Sequence, residues 1–208
     1  MSQFDRVAMI NVTYGHREFS FETSPNVFSP NQLDAGSRLL LEKVQDEKPQ
    51  TVLDVGCGYG AMGIIFGKSH PNCQVTMIDN DRVALKLAKE NVVLNEVNNL
   101  KIYKIDITRQ TLNRKFDLAI SNPPWTKNHS VIPKLITFAF DHLNPGGKLY
   151  LVINQAFKTE VVLKEIFQNS EVVFSDGPYK VLRSIKGLSR QEDPSPVQEE
   201  QKNPARRN

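Results

Sequence analysis

The sequence predicts an α/β fold, a mostly parallel sheet with helices on both faces and an antiparallel hairpin at its C-terminal end. Three observations carry this. Short β-branched apolar runs alternate with segments of helical period between residues 51 and about 188, the pattern of strand–helix–strand units. The first run, Thr51–Val55, leads straight into a cluster of glycines, as a strand feeding a tight turn and a helix would. The last two runs, EVVFS and YKVLRSIK, are separated only by Asp176-Gly177-Pro178, and a connection that short joins antiparallel strands.

The elements follow in order. Residues 1–50 carry short alternating stretches and then a helix, expected to pack on the ligand site of the core that follows. In residues 51–188, TVLDVG reads as a buried strand, and a glycine-rich turn and a helix reach to Ser69. QVTMID is the next strand. Asp81 is placed to cap a helix from Arg82, with Val83, Ala84, Leu87, Ala88, Asn91 and Val92 on one face. KIYKID and FDLAISN are strands, Val131–Leu143 a helix, and KLYLVIN a strand after an Asn-Pro-Gly-Gly turn at 144–147. Residues 189–208 are expected to be a disordered tail, because RQEDPSPVQEEQKNPARRN has almost nothing apolar to bury.

Composition narrows the function classes. The 208 residues are 39% hydrophobic and 24% charged, enough for one folded domain. Two cysteines, Cys57 and Cys73, are too few for a disulfide framework and lack paired zinc spacing, so a reducing, cytoplasmic setting and no metal are expected. Apolar runs are far shorter than a membrane span needs, and the first residues lack a signal pattern. The net charge of +3 permits a polyanionic partner without requiring one.

The densest motif is Val52-Leu-Asp-Val-Gly-Cys-Gly-Tyr-Gly-Ala-Met-Gly63. Gly56, Gly58 and Gly60 allow a sharp turn and close backbone approach to a ligand, with a helix N-terminus behind them. Gly58, Gly60 and Gly63 also satisfy a dinucleotide fingerprint. Asp54, two residues before the first glycine, argues against it: an acid there repels a pyrophosphate and suits a ligand with positive charge. S-adenosylmethionine carries such charge on its ammonium and sulfonium groups. The loop resembles the D-x-G-x-G-x-G motif of class I methyltransferases, which implies a Rossmann-like, seven-stranded sheet and S-adenosyl-L-methionine as cofactor. Asp79, with Asn80 beside it, ends the second core strand, where a carboxylate can accept from ribose hydroxyls. Asp106, followed by Ile107, ends the third, where it can accept from an adenine amino group. Cys57 lies within the loop and shares the expected cofactor contact.

At the end of the fourth core strand stand Asn122-Pro123-Pro124-Trp125. They resemble the [N/D]-P-P-[F/Y/W] turn of amino-group methyltransferases. A conjugated amine is a poor nucleophile, and two acceptors holding its hydrogens, the Asn122 side-chain oxygen and the Pro123 carbonyl, favour a pyramidal nitrogen with its lone pair directed outward. The prolines stiffen the turn, and Trp125 offers a stacking face. His129 is read as a surface residue.

The N-terminal segment Val27-Phe28-Ser29 and Leu33-Asp34-Ala-Gly36-Ser-Arg-Leu-Leu-Leu41 resembles the opening of the methyltransferase domain in ribosomal RNA guanine-N2 methyltransferases of the RsmC type. The resemblance runs over residues 8–188. It implies methylation of a guanine N2 amine in ribosomal RNA or the small ribosomal subunit, by a monomer or homodimer, with Phe28 and Asp34 closing over the methionine end of the cofactor. Trp125 stands where the family usually has Phe, and the N-terminal half of known members has no counterpart here. RNA docking then falls to the single domain, its oligomer or another factor, with Arg38, Lys127, Lys158, Lys180 and Arg183 as candidate phosphate contacts. The Asn-Pro-Pro turn itself leaves adenine N6 in RNA or DNA, or a protein glutamine, as alternative targets. A cofactor- or RNA-binding module without turnover is the non-enzymatic alternative.

Overall fold

The computed structural model of the protein describes residues 8–124 and 131–188. Strands β1 (Ala8–Tyr14) and β2 (Arg17–Thr23) form an antiparallel hairpin that is a sheet of its own, and α1 (Ala35–Val44) follows. The core then runs β3 (Thr51–Val55), α2 (Ala61–Ser69), β4 (Gln74–Asp79), α3 (Arg82–Leu94), β5 (Leu100–Lys104), β6 (Phe116–Ser121), α4 (Val131–His142), β7 (Leu143–Asn154), α5 (Thr159–Phe167), β8 (Glu171–Asp176) and β9 (Tyr179–Ile185). The seven-stranded sheet has the order β5-β4-β3-β6-β7-β9-β8. Its first five strands are parallel, and β9 runs antiparallel to both β7 and β8, as the Asp-Gly-Pro spacing requires.

β3 sits at the middle of the five parallel strands, where its residues can be buried on both faces. Leu53 and Val55 pack with α4 and α5, whereas Val52 packs with α1, α2, α3 and the hairpin. The second cluster joins Phe19, Phe21, Leu40 and Leu41 to Ile64 and Met77, so the hairpin and α1 share a core with the strands that follow. Helix α2 is buried through its first seven residues. It approaches the sheet so closely that a Cβ on Gly63 would lie 2.3 Å from the Met77 sulfur.

Asp81 caps α3 as expected, accepting from the amides of Val83 and Ala84 at 2.7 and 3.2 Å. The buried face is Ala84, Leu85, Leu87, Ala88 and Asn91; Val83, expected on it, faces solvent. Asn91 and Asn95, one turn apart, act together as a stand-in strand. Each amide oxygen accepts from β2 (Glu22 and Ser20 N–H, 2.6 and 3.1 Å) and each amide nitrogen donates to the same residue's carbonyl (3.0 and 2.7 Å). This satisfies the edge of β2 that β1 does not cover.

Two local expectations change. Asn144–Gly147 is not a turn before β7 but a bulge within it: the register against β6 slips between Phe116 and Leu118, and the Asn144 amide donates to Asp117 at 2.8 Å. Helix α5 occupies a stretch for which the sequence reading has no element. It buries Leu163 and Phe167, and Glu160 in its first turn pairs with Lys180 of β9 at 2.5 Å.

The chain leaves β3 toward β4 on one side and, after β5, returns to β6 on the other. The loops after β3 and β6 therefore diverge and open a crevice at the carboxyl ends of the strands, where ligands of such sheets bind.

Candidate functional site

That crevice holds a cavity of about 570 Å³, within the range of small-molecule sites. The turn after β3 forms its floor. Gly56, Gly58 and Gly60 have φ of 74°, 58° and 94°, a region that side chains disfavour. A Cβ on Gly56 or Gly58 would meet no protein atom within 4 Å, so these two glycines border open space. Gly60 instead packs against α3, where a Cβ would lie 3.3 Å from that of Ala88.

Gly56, Cys57, Gly58, Asp79, Asn80, Asp106 and Ile107 line the cavity, joined from the N-terminal segment by Phe28 and Asp34 and from the turn after β6 by Asn122, Pro123 and Pro124. Asp54 and Gly60 stand behind this wall. Trp125, Lys127 and His129 lie outside the described residues.

Asp54 is completely buried, and neither carboxylate oxygen has a hydrogen-bond partner of good geometry. Burial lifts its carboxyl to about 7; the Gly63 amide opposes the rise and Asp79 adds to it. A buried acid without a counter-charge favours a cation nearby. Burial, with Asp54 and Asp79 close by, also pushes the Cys57 thiol well up, so it remains a thiol and not a nucleophile.

Asp79 shapes the loop as well as lining the site. One oxygen accepts the Gly58 amide at 2.9 Å and the other the Asp81 amide at 3.0 Å. Asp106 lies just beyond the end of β5. One oxygen accepts from the Thr108 amide and hydroxyl at 2.9 and 2.7 Å, bonds that hold its carboxyl below the usual range.

The most informative group is Asn122. Its amide nitrogen donates to Asp34 Oδ2 at 2.6 Å and to Ser37 Oγ at 2.9 Å, which fixes the orientation of the amide. The oxygen Oδ1 is then the free end: it is buried and has no partner, and Asn122 itself lines the cavity. Asp34 caps α1 through the Ser37 amide at 2.9 Å, so the start of α1 is anchored to the turn after β6. Asp34, expected near the methionine end of a cofactor, spends one oxygen on Asn122 and the cap. Ser37 was legible only as a residue of α1, because nothing in its local sequence indicates a partner 85 residues away. Phe28 stays half exposed at the mouth.

Of the candidate phosphate contacts, Lys180 is buried against Glu160, Arg183 pairs with Glu171 along the sheet edge, and Arg38 donates to the Thr13 carbonyl at 3.1 Å. Lys158 is exposed beside α5. Among the described residues no group of three or more His, Cys, Asp or Glu could hold a metal ion, and no helix is long and apolar enough to cross a membrane.

Residues 18–183 match the methyltransferase small domain family. The chain belongs to that family. It is 35% identical over 176 residues to ribosomal RNA small subunit methyltransferase C of Haemophilus influenzae, covering 81% of this chain and 53% of the relative. It is 30% identical over 198 residues to ribosomal RNA large subunit methyltransferase G of Shewanella loihica, covering 88% and 49%. The chain thus spans about half the length of these curated relatives. A similar solved structure is the T. thermophilus 16S rRNA N2 G1207 methyltransferase in complex with AdoMet and guanosine, with a TM-score of 0.79, 26% identity, and 86% and 50% of the two chains covered.

Proposed function

We propose that the protein is an S-adenosylmethionine-dependent N-methyltransferase that acts on the exocyclic N2 amine of a guanine in ribosomal RNA. The observation that carries this reading is Asn122, whose side-chain oxygen is a buried acceptor with no partner, on a residue that lines the same cavity as the glycine loop.

The residues present fit the cofactor. The open space at Gly56 and Gly58 admits a ligand against the backbone, the unpaired Asp54 favours its positive charge, and Asp79 stands where ribose hydroxyls would donate. The cofactor supplies an electrophilic methyl group on a sulfonium. Asn122 Oδ1 accepts one hydrogen of the target amine, with the Pro123 carbonyl as the second acceptor, and the nitrogen lone pair is left to point at the methyl. As positive charge grows on that nitrogen, both acceptors bind it more strongly, which lowers the barrier. Asp34 and Ser37 hold the Asn122 amide so that it need not reorient during reaction.

The choice of guanine N2 over adenine N6 or glutamine rests on the relatives named above. These differ in the ribosomal subunit in their names, so the proposal extends to ribosomal RNA and not to one subunit. The test is transfer of tritium from labelled S-adenosylmethionine to total RNA from a strain lacking the gene, to genomic DNA, and to ribosomal proteins with release factors. Label in N2-methylguanosine after RNA digestion is expected. Label in N6-methyladenosine or methylglutamine would overturn the target. No label in any pool, despite cofactor binding, would leave the non-catalytic module.

A further inference from the structure

Two stretches of this chain gather positive charge: residues 180–190, where Lys180 and Arg183 are paired with Glu160 and Glu171, and residues 100–115. Residues 100–115 hold Lys101, Lys104, Arg109, Arg114 and Lys115 against a single acid, Asp106, a net of +4 in a chain whose total is +3. Everything outside this segment therefore sums to about neutral, slightly acidic.

The segment is β5 and the connection to β6. β5 is the outermost strand on its side of the sheet, and all five basic residues are exposed. Among the described residues only Arg109 of the five makes an ion pair, at 3.8 Å with Asp106, while Lys115 donates to the Asp141 carbonyl. Tyr103 lies between Lys101 and Lys104 and is 39% exposed. The neighbouring face of α3 adds Arg82, Lys86 and Lys89, with Glu90 paired to Lys86 at 3.8 Å. A group of exposed cations that outnumber the acids beside them, with an exposed aromatic among them, suits a phosphate backbone with a base to stack.

The position is as informative as the charge. The same connection carries Asp106, Ile107 and Thr108 into the wall of the candidate active site. Arg109 is the next residue, and Lys104 ends the strand below it. Lys104 and Arg109 therefore stand at the rim of the cavity and Lys101 farther along the edge strand, whereas Arg114 and Lys115 lie apart from them, before the inner strand β6.

We propose that this edge, Lys101, Tyr103, Lys104 and Arg109, is the docking surface for the RNA that flanks the methylated base. It rests on the functional reading above. Docking here lets this domain hold the strand while the target base enters the cavity, and it places the anchor on a strand whose register is fixed by five pairs with β4.

The test is binding of a fluorescently labelled, structured fragment of ribosomal RNA by anisotropy across a salt series, with cofactor affinity measured in parallel. The variants are Lys101→Glu/Lys104→Glu/Arg109→Glu and, as a control of equal charge change per site, Lys48→Glu/Lys164→Glu, two exposed lysines remote from this edge. The triple variant is expected to bind RNA at least about tenfold more weakly, with a salt slope shallower by roughly three, one for each phosphate no longer neutralised. Its cofactor affinity should stay unchanged, which reports an intact fold. Tyr103→Ala should weaken binding with no change in salt slope. Equal weakening in the control, or wild-type affinity in the triple variant, overturns the proposal while leaving the enzyme assignment standing. Failure of the wild-type protein to bind any RNA fragment overturns the functional reading together with it.

Discussion

Asn122 shows how the bonds that a side chain already makes decide which of its ends is left free. An unanchored amide presents its oxygen and nitrogen alternately, and only one serves as an acceptor. Asp34 Oδ2 and Ser37 Oγ engage the nitrogen at 2.6 and 2.9 Å and leave the oxygen without a partner. Ser37→Ala removes one restraint and is expected to lower the methyl-transfer rate about tenfold, roughly 1.4 kcal/mol, with cofactor affinity unchanged; equilibrium binding beside single-turnover kinetics separates the two. Asp54 yields a prediction in pH. Its carboxyl titrates near 7 in the folded protein against an ordinary 3.8. Between these values the folded state keeps a proton that the unfolded chain has lost, so the stability of the ligand-free protein falls as pH rises from about 4 to about 7 and levels off above it. A cationic cofactor favours the ionised form, so its affinity should rise with pH over the upper part of this window. Asp54→Asn should abolish that rise and weaken binding at about pH 8, above this window, as calorimetry across pH would show.

The elements position these residues by contacts that local sequence does not announce. The strands, the Asp81 cap and the closing hairpin were legible because each depends on residues within a few positions of one another. The Asn144–Gly147 bulge was not: its side chain satisfies Asp117 on the neighbouring strand, and a turn and a bulge have the same local composition. The pairing of Asn91 and Asn95 with β2 joins residues 69 and 75 positions apart and was equally hidden. Asn91 also donates to the Tyr59 carbonyl at 2.9 Å, so it fastens the hairpin, α3 and the glycine loop at one point. Asn91→Ala strands three buried or half-buried polar groups and is expected to cost on the order of 3 kcal/mol. Chemical denaturation measures this as a lower midpoint with an unchanged slope. An unchanged midpoint would mean that water replaces the amide.

At the scale of the molecule, the site lies where the topology reverses, and its two halves come from separate crossovers. The glycine loop follows β3, and the Asn-Pro-Pro turn follows β6. Both were legible as motifs, since each has a spacing that few other functions require. Their convergence on one cavity, and the part played by α1 in orienting Asn122, are properties of the fold. The central claim is that the Asn122 oxygen is the acceptor for the target amine. It is tested most directly by single-turnover methyl transfer to guanosine N2 in ribosomal RNA by Asn122→Ala, with cofactor affinity measured on the same preparation. A rate lower by about 100-fold, with the cofactor bound within a few-fold of wild type, is the expected result. A rate equal to wild type would contradict the claim.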